Sequence, residues 1–82
     1  MQSTTLQRGA EERKVTLYEN GDSYLITVTV LQSLFHEVGH TETLYAPNTK
    51  SQAEFLFGSA VRFLQGFQYI VTDGVLDRKS VV

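Results

Sequence analysis

This 82-residue sequence predicts an α+β fold: a small, mainly antiparallel β-sheet with one amphipathic helix packed on one face. Three observations predict it. Residues 14–31 hold two runs rich in β-branched and aromatic side chains, divided by Asn20-Gly21, a pair suited to a tight hairpin because both positions accept positive φ. Residues 52–65 repeat apolar side chains at three- and four-residue steps, the period of a helix with one buried face. No cysteine, internal repeat or low-complexity tract diverts the chain from a single core. The expected order is β-β-β-α-β(-β), with about four or five strands.

Residues 1–13 (MQSTTLQRGAEER) are polar and aperiodic. They are expected to stand outside the fold, as a mobile N-terminal arm or a remnant of expression, leaving 14–82 as the single domain. Lys14 to Glu19 and Asp22 to Leu31 then form the hairpin. A two-residue loop at 20–21 places Glu19 opposite Asp22, Leu17 opposite Tyr24 and Val15 opposite Ile26. One face of this pair carries Val15, Leu17, Tyr24, Ile26, Val28 and Val30, an apolar row; the other carries Thr16, Tyr18, Ser23, Leu25, Thr27 and Thr29.

Residues 31–47 support two readings. Leu31, Leu34, Phe35 and Val38 fall on a short helical stripe. Leu34, His36, Val38, His40 and Leu44 share one face of a strand, and Thr41 to Tyr45 reads as extended. The preferred expectation is a third strand, bulged at Gly39 and ending before Pro47. Ser51-Gln52-Ala53-Glu54 has the form of a capping box opening a helix over 52–65, and Gly66 stands where a left-handed cap belongs. Phe67 to Thr72 alternates as a strand, and Asp73-Gly74 turns the chain back through Val75 and Leu76. The expected core is Val15, Leu17, Ile26, Val28, Val30, Leu56, Phe57, Ala60, Val61, Leu64, Tyr69 and Val71.

Composition narrows the function classes. Hydrophobic residues make up 41% and charged residues 20%, the balance of an ordinary globular domain. Seven basic against nine acidic residues leaves no basic patch for tracking phosphates, so nucleic acid is the weakest partner class. No apolar run approaches the roughly 18 residues that span a bilayer, and residues 1–13 lack the apolar segment of a signal peptide. No membrane partner and a cytoplasmic location are therefore expected.

One stretch spells a chemistry. His36-Glu37-Val38-Gly39-His40 matches H-E-x-x-H and uses both histidines of the chain. On a helix the two imidazoles share a face and can hold one zinc ion, with Glu37 as general base on the metal-bound water. Glu54 resembles the later glutamate ligand of some zincin metallopeptidases, and the resemblance implies His36, His40 and Glu54 as ligands of a metallohydrolase. Against it, Glu54 is already used by the capping box. The motif also follows the strand-like Ile26 to Val30 run closely, and a one-helix domain has little chain with which to enclose a cleft. The favoured expectation is that both histidines are strand or turn residues, with no metal and no cofactor.

The remaining candidates are contact residues. Phe55 lies on the helix side opposite the apolar stripe, with Arg62, Ser59 and Gly58 as neighbours at about 100° per residue. An exposed aromatic beside an arginine is the composition of a contact patch. Tyr18 and Leu25, on the second hairpin face, extend the set. The order hairpin, glycine turn, strand, helix, strand also resembles the layout of the WGR domain, which implies a nucleic-acid-binding accessory role. Phe35-His36-Glu37 stands where the Trp-Gly-Arg triplet falls, and glutamate replaces the arginine that would contact phosphate. The sequence therefore favours a small non-enzymatic binding or regulatory module. It would engage a protein partner or a second copy of itself through a sheet edge or the Phe55/Arg62 face.

Overall fold

A computed structural model describes residues 1–73. The chain runs β1 (Gln2–Arg8), β2 (Glu11–Asn20), β3 (Ser23–Gln32), β4 (Thr41–Tyr45), α1 (Lys50–Gly66) and β5 (Ile70–Val71). The five strands make one open antiparallel sheet in the order β4-β3-β2-β1-β5, with α1 across one face. The expected α+β class stands, with one strand more before the helix.

That strand is β1, and it corrects the expectation of an N-terminal arm. Gly9-Ala10 joins β1 to β2 by a two-residue loop, and Gly9 has φ +60, a backbone state that costs glycine little. The pairing brings Leu6 opposite Arg13 on the helix side of the sheet, where Leu6 is fully buried. Polar composition misled because Ser3 and Thr5 lie on the opposite face, where strands carry polar side chains. Ser3, Thr16, Thr27 and Thr43 are successive cross-strand partners there, a row of hydroxyls across four strands. Within it the Thr27 hydroxyl is buried without a partner.

The second hairpin forms, with its register displaced. Asn20 pairs with Ser23, Leu17 with Ile26 and Val15 with Val28, so the loop is Gly21-Asp22. Gly21 has φ +63, and Asp22 is not among the residues of positive φ, the pattern of a turn with glycine at its first central position. From Arg13 to Asn20, each residue of β2 meets a partner two places from the expected one. An even displacement keeps every side chain on its face, so the apolar row survives intact.

The helix begins two residues earlier than expected. Thr49 is its N-cap, and the Thr49 hydroxyl accepts from the Gln52 amide at 3.2 Å. Thr49-Lys50-Ser51-Gln52 is itself of capping-box form. The earlier of two overlapping boxes is used, which releases Glu54 from the capping role assigned to it. At the other end Gln68, with φ 74, takes the left-handed position expected of Gly66. Tyr69 N–H donates to Leu64 O at 3.1 Å and Gln68 N–H to Gln65 O at 3.0 Å, the pair of bonds of a Schellman motif. Tyr69 is thereby buried beneath Arg8, whose guanidinium lies 4.9 Å from the ring centre and donates to Phe67 O at 2.8 Å. Arg8 supplies from β1 the cation that the last helical turn lacks.

The strand expected over 67–72 shortens to Ile70–Val71, because Phe67 and Gln68 are consumed by the helix end. It pairs with β1 through Leu6 and Gln7, extended by Thr72 N–H to Thr5 O at 2.9 Å. The Asp73 carboxylate accepts from the Thr5 amide at 3.1 Å. The return strand through Val75 and Leu76 lies outside the described residues. The core cluster is Leu6, Val15, Leu17, Ile26, Ala53, Phe57, Ala60 and Tyr69. Leu56, Val61, Leu64 and Val71 pack partly buried against it, and Val28 is only half-buried.

A candidate binding groove beside the β4 edge

A single helix cannot cover this sheet. Five strands at about 4.8 Å spacing span roughly 19 Å between outer axes, and a helix with its side chains is about 10 Å wide. Helix α1 lies over β2 and β3, so the β4 flank stays open. Every residue of β4 is exposed, and its outer backbone has no strand partner among the described residues. Between β4 and the helix runs a groove of about 290 Å³, lined by Val15, Val28, Leu44, Tyr45, Ala60, Phe63 and Leu64. Its lining is predominantly apolar. Phe63 forms the helix wall and leans on Phe67, ring centres 5.0 Å apart and edge to face.

Val28 also floors a second groove of about 170 Å³, shared with Arg13, Val30, His36, His40 and Glu42. Both histidines therefore line one depression, yet not in the way a zincin helix requires. Residues 33–40 form bends and a turn, which corrects both the strand expected there and its helical alternative. His40 N–H donates to Glu37 O at 3.2 Å, and Gly39, φ +91, occupies the third position of that turn. The His40 imidazole is 3.2 Å from the Glu42 carboxylate. Among the described residues no three histidine or carboxylate side chains are grouped to hold a metal ion. Arg13 lines the same depression, a cation where a zinc site would need another anionic or neutral ligand. The residues do not fit the zinc alternative, and with the helix absent Glu37 loses its place as general base.

What the loop does have is a built base. Glu11, buried, accepts from the Ser33 hydroxyl at 2.6 Å, from the Leu34 amide at 3.0 Å and from Arg13 at 2.9 Å. Ser33 accepts in turn from the amides of Phe35 and His36 at 3.0 and 2.9 Å. The Ser33 hydroxyl, then the Leu34 amide and the Arg13 charge, hold the Glu11 carboxyl at about 2, well below its ordinary 4.5, against the opposing effect of burial. At the other end of the loop, Gly39 N–H donates to Val30 O at 2.7 Å and Val30 N–H to His40 O at 2.9 Å. Fastened at both ends, the loop turns apolar residues outward: Phe35 is 81% exposed, Leu34 76% and Val38 61%.

The other expected contact residues are scattered. Phe55, 67% exposed, stands on the outer side of α1 as expected. Arg62 folds back along its own helix, with its guanidinium near Gly58 and on the Ser59 hydroxyl. Tyr18 and Leu25 are cross-strand partners on the sheet face away from the helix, and with Tyr24, Asn20, Ser23 and Ala46 they border a separate depression at the hairpin end. They do not extend the Phe55 face. Residues of the apolar groove were missed as a site because Leu44 and Tyr45 read as ordinary strand and Phe63 as the flank of the stripe. The available signal was a surplus of large apolar residues over what one helix can cover.

Comparison with protein-family models, curated proteins and solved structures gives no significant match. Function is therefore read from the site alone. Among the described residues no helix is long and apolar enough to cross a membrane.

Proposed function

We propose that this chain is a small non-enzymatic binding module that engages a protein partner through the open β4 edge and the apolar groove beside it. The observation that carries the reading is their adjacency: the five exposed residues of edge strand β4, whose outer side has no strand partner among the described residues, run along a predominantly apolar groove. An extended segment added to such an edge gains main-chain hydrogen bonds, and alternate side chains reach the adjoining pocket for specificity. This groove lies between the open β4 edge and the helix, whereas the depression at the hairpin end includes Asn20 and Ser23 in its lining. The helix face at Phe55 and Arg62 supports the same function less well, since Arg62 is turned onto its own helix.

The test is selection from a peptide-display library on the whole chain, repeated on Leu44→Lys. Leu44 is on the exposed rim, so the substitution leaves the core in place. Peptides with alternating apolar residues that bind the wild type and lose at least about tenfold in affinity on the variant are the expected result. No enrichment, or peptides indifferent to Leu44→Lys, overturns the reading.

A further inference from the structure

We infer that the groove beside β4 is filled by the Leu34–Phe35 finger of a second copy of this chain, in a twofold dimer whose two fingers exchange. The inference rests on the binding reading above and names its partner. A dimer with twofold symmetry needs a patch complementary to itself, so that a projection and its receptor lie on one side of one molecule. This chain has both. The finger between Ser33 and Gly39 is tied to β3 through Val30, and His36 at its inner side lines the depression that shares Val28 with the apolar groove. The loop that carries the projection thus borders the groove through His36 and Val28.

The finger is built rather than loose. Glu11 and Ser33 fasten its start, the turn at Gly39 fastens its end, and its exposed apolar side chains do not line the molecule's own groove. Little conformational freedom is lost when such a loop docks. Size agrees as well: a groove of about 290 Å³ is small for a ligand site and suits one or two inserted side chains. Leu34, Phe35, Val38, Leu44, Tyr45 and Phe63 leave roughly 700 Å² in water, taking about 150–250 Å² for a whole large side chain; wholly buried, they would supply most of the ~800 Å² per partner of a standard interface.

The experiment is sedimentation equilibrium of the full 82-residue chain, alone and as Phe35→Ser and Leu44→Lys, with circular dichroism to confirm that each variant is folded. Phe35 is almost wholly exposed, so its replacement leaves folding intact. The wild type is expected to dimerise, and each variant to dimerise at least about tenfold more weakly. A chain monomeric to about 0.5 mM overturns the inference; so does a dimer indifferent to either substitution. If the monomeric chain still selects peptides sensitive to Leu44→Lys, the binding reading stands with a different protein as occupant. If it selects none, both fail.

Discussion

Glu11 shows how much one side chain can hold in place when its charge is fully met. Its carboxylate joins the start of β2, the Arg13 guanidinium and both the hydroxyl and the amide that open the finger. Its folded pKa of about 2 lies below the ordinary value of 4.5. The charged form is therefore favoured by folding: the contribution to stability is complete above about pH 4.5 and is lost as pH falls through the folded value. Chemical denaturation at a series of pH values should show stability falling between about pH 4.5 and 2 in the wild type, and falling less steeply in Glu11→Gln. Parallel curves for the two proteins would remove Glu11 from this role. In the sequence Glu11 is one more charge in a polar stretch; its importance depends on Ser33 and Leu34, which lie more than twenty residues away.

At the scale of elements, the two ends of α1 show how local signals compete. Thr49 and Ser51 each open an acceptable capping box, and the earlier one is used because it adds two residues to the helix. At the C-terminus Gly66 is the residue that favours a left-handed cap, yet Gln68 adopts it, because Tyr69 must reach the core one residue later. A non-glycine residue there carries a steric cost. Gln68→Gly should raise stability by about 0.5–1 kcal/mol, some 3–6 °C in the thermal midpoint. An unchanged or lowered midpoint would show that the glutamine side chain makes up for the strain. The hairpin offers the complementary lesson: its turn slipped by one place and its partners by two, and parity kept the core face apolar.

For the whole molecule, β1 decides the architecture. It separates β2 from β5, contributes fully buried Leu6, and through Arg8 closes the helix C-terminus. Strands β4 and β5 lie at opposite edges of the sheet, so the chain between them has to cross it, and α1 is that crossing. Leu6→Ala is expected to cost about 2–5 kcal/mol in urea unfolding, the range for deleting a fully buried leucine side chain. An arm outside the fold would make the same substitution neutral, so a loss below about 0.5 kcal/mol would argue against β1 as a structural strand.

Residues 14–31 and 52–65 announced themselves because their apolar periods of two and about 3.6 are local properties that hold whatever the rest of the chain does. From them came the α+β class, the buried face of the hairpin and the helix stripe. The tertiary structure alone decided three other matters. It made a strand of Gln2–Arg8, whose single buried leucine is too little to register as a period. It turned His36 to His40 into a fastened loop rather than a helix, because Glu11 and Val30 bind its two ends. It left Leu44, Tyr45 and Phe63 around an open groove, because one helix is narrower than five strands. Each depends on contacts between residues distant in the chain, and a count of local preferences carries no term for them.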